Sequence, residues 1–181
     1  MSGGPPTFDH VPIDAPPIRA TAAGPDRGIV AAARYTPRYV LTRAAARAAW
    51  SSINMPTRTV SVAGLDEDVI TMGATAAIAA LRRANVTGRD VTGVIVATSS
   101  SPYVVKSAAA VVADYIGAGP DTCVTDVGSG PQAGLLALLS ALQHTVVPGP
   151  TLVVAADAPA GLPSDSVDVT FGAGATAFVV G

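Results

Sequence analysis

The chain has 181 residues, 49% of them hydrophobic and 13% charged, a balance that buries one sizeable core and excludes a disordered chain. A formal net charge of −2 argues against wholesale nucleic-acid binding. One cysteine, Cys123, and two histidines, His10 and His144, exclude an internal disulfide framework and a Cys/His zinc site, so no metal is expected.

Residues 1–26 hold six prolines and three glycines without hydrophobic periodicity and read as a flexible arm, with residues 27–181 as the folded domain. The N-terminus lacks a basic-then-apolar signal pattern, and no apolar run approaches the roughly 20 residues of a membrane span. A soluble, cytoplasmic protein is expected. "GIVAAARY" reads as a buried strand and "LTRAAARAAW" as a short helix capped by Thr42, with Arg43 and Arg47 on one face. From Arg27 to Leu65 there are six arginines (Arg27, Arg34, Arg38, Arg43, Arg47, Arg58) and no acid, whereas beyond Lys106 there are six aspartates and no Lys or Arg. The asymmetry fits a local anion site, an acidic partner or simply a solvated face.

"GLDEDVITMGATAAIAALRRANVTG" is the clearest helix. Asp66 is its expected cap, Glu67 and Asp68 suit the positive end of its dipole, and Arg82 and Arg83 the other end. Glu67, Thr71, Thr75 and Arg82 make one narrow polar stripe, so most of its circumference should be covered. "VTGVIVAT" is a strand buried on both faces, and the loop "SSSPY" leads to a helix, "VVKSAAAVVADYIGAG", ended by its glycines. Strand "CVTDV", helix "PQAGLLALLSALQH", strand "TLVVAAD", a loop rich in Asp, Pro and Ser, and strand "ATAFVVG" follow. The alternation predicts a three-layer α/β/α unit, or a two-layer half of one, around a mainly parallel five-stranded sheet. A strand that runs straight to Gly181 reads as a midpoint.

Several residues are candidates for chemistry. "DVGSGPQAG", Asp126 to Gly134, joins a strand to a helix start, where enzymes place nucleophiles or bind anions. Ser129 there is either a helix cap or a nucleophile, but "VGSGP" lacks the outer glycines of a nucleophile elbow and has no histidine nearby. Cys123, inside an expected buried strand, reads as an inert small hydrophobe. His144 lies about four turns along the helix and suits its dipole; His10 lies in the arm. "SSSPYVVK" occupies the carboxyl end of a parallel strand, where α/β sheets bind ligands. Its Ser99, Ser100, Tyr103 and Lys106 border a ligand, or Ser100 or Ser101 caps the next helix. Gly172 and Gly174 in "FGAGATAFVVG" fit a close approach of backbone better than phosphate binding, because no helix follows.

In order, "RYTPRYV", "GLDEDVITMGATAA", "VIVATSSSPYVVKSAA", "DVGSGPQAGLLAL", "LVVAAD" and "FGAGATAFVVG" resemble the N-terminal half of the thiolase superfamily over residues 28–181. They most resemble the archaeal-type hydroxymethylglutaryl-CoA synthases, with the ketoacyl-ACP synthase III group next. The resemblance implies a half-domain that pairs with a second copy of its topology. It also implies acyl transfer or Claisen condensation on thioesters of coenzyme A or acyl carrier protein, which are substrates; no cofactor is implied. In the family a cysteine at the start of the helix after the third strand takes the acyl group, its thiolate favoured by the helix N-terminus. A histidine and another polar residue from the second half activate it and help form the oxyanion hole.

Carried over, the nucleophile's place is held by Pro131, five residues after Asp126 and three before Gly134. Proline suits a first helical turn, so it retains the helix start and removes the thiol; an offset of a residue or two is the alternative. The place of the synthases' general acid/base glutamate is held by Ser99, whose hydroxyl cannot do a carboxylate's proton transfer near neutral pH. Ser100, Tyr103 and Lys106 would border the acyl or pantetheine tunnel. Arg58, with Trp50 upstream, falls where ketoacyl synthase relatives approach the CoA nucleotide, and arginine suits phosphate. The expectation is a subunit of a split, hetero-oligomeric thiolase-like acyltransferase without its own nucleophile. A partner would carry the second half or be a full active synthase, with "TCVTD" pairing across subunits and an acyl carrier protein as a further partner. The alternatives are a non-catalytic acyl-CoA or carrier-protein scaffold, and an autonomous acyltransferase using Ser129.

Overall fold

Five of the apolar runs assemble into one sheet. In chain order the elements are β1 (Ile29–Tyr35), β2 (Tyr39–Thr42), α1 (Arg43–Ala49), β3 (Thr59–Val62), α2 (Val69–Ala84), a 3₁₀ turn (Gly88–Asp90), β4 (Gly93–Ala97), α3 (Ala108–Tyr115), β5 (Cys123–Val127), α4 (Ala133–Gln143), β6 (Thr151–Asp157), α5 (Ser166–Thr170) and β7 (Gly174–Val180). This computed structural model describes residues 27–50, 53–128, 130–143, 148–161 and 166–181, without the side chains of residues 166 and 168. The arm at 1–26, His10, Ser129 and His144 lie outside the described residues.

The strand order is β1-β7-β6-β4-β5. The five-stranded half-domain with helices is the expected architecture, with one refinement. β4 pairs in parallel with β5 and β6, but β7 turns back antiparallel along β6 and β1 adds antiparallel to its outer edge. The sheet is therefore mixed. A separate two-stranded ribbon, β2 with β3, and the short α5 were not anticipated, because elements of four or five residues are too short to carry a readable period.

The strands alternate between two cores, as a period of two requires. Val94, Val96, Leu152, Val154, Ala177 and Val179 face a large core under α2 and α3. Ile95, Ala97, Val153 and Val180 face a smaller one with Ala133, Ala137 and Ala141 of α4. A third cluster joins the ribbon to α1 and α5 through Ala46, Met55, Val60 and Val169, and Trp50 packs against it.

Four expectations are corrected. β1 is not a buried strand: it lies at the sheet edge with Ile29 and Val30 at 50% and 56% exposure. The α2 cap is Asp68, not Asp66. Its carboxylate accepts from the Thr71 N–H while the Thr71 hydroxyl takes up the Asp68 N–H, a reciprocal box that a start two residues earlier could not close. The third helix begins at Ala108, capped by Ser107, rather than at Val104; neither Ser100 nor Ser101 caps it. Cys123 is exposed, because β5 is the outer strand beyond β4. The Gly117 backbone, at φ +72°, follows α3 in the left-handed region that glycine adopts without penalty, as expected.

Candidate functional site

The carboxyl ends of β4 and β6 are tied together by one carboxylate. Asp157, the last residue of β6, places Oδ1 at 2.7 Å from the Ser99 N–H and accepts the hydroxyls of Ser99 at 2.9 Å, Ser100 at 3.0 Å and Thr98 at 3.2 Å. The Ser100 Oγ also accepts the Ala158 N–H at 2.8 Å, so it donates to one strand end and accepts from the residue after it, using both capacities of a hydroxyl. The Thr98 N–H donates to the Val127 carbonyl at 3.1 Å, which brings in the end of β5. Three parallel strands therefore end in one hydrogen-bonded floor, where open α/β sheets present their ligand sites.

Above this floor lies a cleft of about 720 Å³. Its polar lining is Ser99, Ser100, Ser101 and Asp157, and its apolar lining includes Pro131, Val167 and Phe171. A second cleft, of about 610 Å³, shares Ser100, Ala158, Pro159, Ala160 and Phe171 with the first and extends to Leu41, Trp50 and Val69. Phe171, at 60% exposure, stands where the two meet.

Pro131, Ser99 and Ser100, chosen from separate stretches of sequence, meet in the first cleft. Pro131 sits in the turn just before α4 rather than in its first helical turn. The Ala133 N–H donates to the Gly130 carbonyl and the helical ladder starts with the Gln132 carbonyl. Cys123 begins β5, while the cleft lies beyond its end at Val127, about 13 Å away at a strand's rise per residue. Asp126 accepts the Ala109 N–H at 2.8 Å and so braces the first turn of α3.

Other predicted residues lie apart. Tyr103 and Lys106 line neither cleft; the ammonium stands 5.0 Å from the centre of the Tyr103 ring, a cation–π pair on an exposed loop. Arg58 is exposed just before β3 and lines neither cleft. Arg27, Arg38 and Arg43 serve local contacts: Arg27 with the Gly149 carbonyl, Arg43 with those of Pro56 and Thr57, and Arg38 over the Tyr39 ring. Gly172 is a close approach, since a Cβ there would lie 2.8 Å from the Ser61 Oγ.

Asp157 was not singled out from sequence, although its position at the end of "TLVVAAD" was a usable signal. Glu67 is also placed differently from expectation. It accepts the Tyr35 hydroxyl and, at 2.7 Å, the Gly64 N–H, joining β1 to the start of α2. The Tyr35 hydrogen bond, then that from Gly64, lowers the Glu67 pKa below the ordinary 4.5. The same hydrogen bond raises that of Tyr35, which is stabilised as the neutral donor.

No family model matches the chain. A hydroxymethylglutaryl-CoA synthase from Pyrococcus horikoshii is 35% identical over 158 residues, covering 86% of this chain and 45% of the relative. The chain thus spans about half the length of the relatives it matches. Among solved structures, the priming β-ketosynthase of the R1128 polyketide biosynthetic pathway superposes with a TM-score of 0.76 at 23% identity, over 86% of this chain and 49% of that one. The 3-oxoacyl-(acyl carrier protein) synthase III of Pseudomonas aeruginosa PAO1 gives a TM-score of 0.75 at 23% identity, over 86% and 51%.

Proposed function

This chain is a homologue of the N-terminal half of the thiolase-superfamily condensing enzymes, and from that premise we propose that it is one subunit of a split acyltransferase or condensing enzyme acting on CoA or carrier-protein thioesters. It builds one wall of the acyl cleft, and no cysteine is among the described residues that line it. A thiolase-like partner subunit supplies the reacting cysteine and histidine.

The observation that carries this reading is the meeting of Pro131 and Ser99 in one cleft at the strand ends. The places expected to hold a thiol and a carboxylic acid converge there, and they hold a ring without a donor and a hydroxyl. The ring cannot attack a thioester, and the hydroxyl cannot transfer a proton as a carboxylic acid does near pH 7. A partner is also supported by α4, which exposes Leu135, Leu136 and Leu139 at 61%, 48% and 41%, an apolar stripe opposite its buried alanines that a second half-fold would cover.

The test is to purify the protein alone and with a co-expressed candidate partner that carries the second half, then incubate each with radiolabelled acetyl-CoA and separate the chains under denaturing conditions. Turnover only in the complex, with label on the partner, is the expected outcome. Label on this chain that disappears in Ser129→Ala, or turnover by this chain alone, overturns the reading in favour of an autonomous enzyme. Acyl-CoA binding without turnover in any complex leaves the scaffold role instead.

A further inference from the structure

We infer that Asp157 makes the acyl cleft selective for uncharged acyl chains over chains of equal length that end in a carboxylate. This rests on the acyl-thioester reading above and adds a substrate class to it. The first cleft carries the Asp157 carboxylate in its lining, and the adjoining cleft carries those of Glu67 and Asp68. No Lys, Arg or His is among the described residues lining either cleft, and the chain beyond Lys106 contains no Lys or Arg.

The charge is fixed in place. Four donors from Thr98, Ser99 and Ser100 converge on Asp157 Oδ1, so the carboxylate cannot swing away from an incoming anion. The remaining surface, including Pro131, Val167 and Phe171, offers an alkyl chain burial but, among the described residues, offers a terminal carboxylate no cation. An anion placed there loses its hydration, meets a like charge in a medium of lower dielectric than water, and gains no compensating cation. An aliphatic chain of the same length meets none of these costs.

The test compares hexanoyl-CoA with adipoyl-CoA, which differ by the terminal carboxylate, by titration calorimetry on the protein in the assembly it forms. Hexanoyl-CoA should bind at least about tenfold more tightly, the scale expected of one like-charge contact in a partly desolvated site. Raising the salt concentration should narrow the gap in the unaltered protein, because screening weakens repulsion. Asp157→Asn, which keeps an oxygen to accept the Ser99 N–H, should narrow it to about threefold or less, chiefly by tightening adipoyl-CoA; loss of fold alone would weaken both ligands together. Equal affinity for the two, or a gap unmoved by both salt and Asp157→Asn, overturns the inference while leaving the acyl-thioester reading intact. Failure of both ligands to bind sinks that reading, and the inference with it.

Discussion

The two faces of the sheet are built from the same strands but are covered very differently. Under α2 and α3, Leu152, Val154, Val94 and Val96 are completely or almost completely buried, and α2 itself buries Val69, Ile70, Met72, Ala76, Ala80 and Leu81. Under α4 the fully buried contacts are made by alanines, with Leu138 and Leu142 partly buried beside them, while Leu135, Leu136 and Leu139 are exposed. β5, beyond β4, is exposed along Cys123 to Asp126. The first face is fully covered; on the second, three leucines of α4 stand exposed. The amphipathic logic of a surface helix, apolar in and polar out, is obeyed by α2, whereas α4 also carries leucines on its exposed side.

The sharpest way to break this comparison is a pair of leucine deletions. Leu152→Ala should cost about 3 kcal/mol in denaturant unfolding, the usual result of emptying a fully packed leucine site. Leu136→Ala, at a position already half open to solvent, should change the stability of the chain alone by less than about 0.5 kcal/mol. Comparable losses at both sites would show that the outer face of α4 is covered without a partner.

A smaller effect sharpens how the covered face is anchored. Asp68→Ala should lose about 1 kcal/mol through its helix cap, and Asp66→Ala close to nothing; a reversed order in thermal unfolding would restore Asp66 as the cap. The smallest effect is a change of pH profile. Because the folded pKa of Glu67 lies below its ordinary value of 4.5, its contribution is fully present above that pH and is lost as the pH falls through the folded value. Glu67→Gln should therefore flatten the fall of stability with acid below pH 4.5. An unchanged acid slope would mean that the Tyr35–Glu67 link does not discriminate folded from unfolded chain.

Legibility in the sequence followed length and period. The sixteen residues of α2 and the β-branched run of β4 were plain because several turns, or a full set of alternations, repeat the same message. The ribbon and α5 were silent because they are too short to repeat anything. Exposure was misjudged at β1 and β5 for a different reason. "GIVAAARY" is nearly as apolar as a central strand, and the places of β1 and β5 at the two outer positions of the sheet leave both open.

Of the candidate site, Pro131 and Ser99 came from positions carried over from the family and Ser100 from its loop at a strand end, and strand ends on one side of a parallel sheet converge. Tyr103 and Lys106 follow the same strand end and Arg58 comes from the family resemblance, yet all three line neither cleft. Asp157 ends a strand, which the sequence shows, but its donors lie 57 to 59 residues away and no local pattern points to them.

By itself the sequence determined the alternation of strands and helices, the presence of a helix after Asp126, and the lack of any Lys or Arg past Lys106, all properties of neighbouring residues or of composition. Only the tertiary structure decided which strands are edges, which side of α4 is left uncovered, and that the "DVGSGPQAG" turn, "SSSPY" and Asp157 share one cleft. These depend on pairings between residues distant along the chain, and no local period or propensity encodes them.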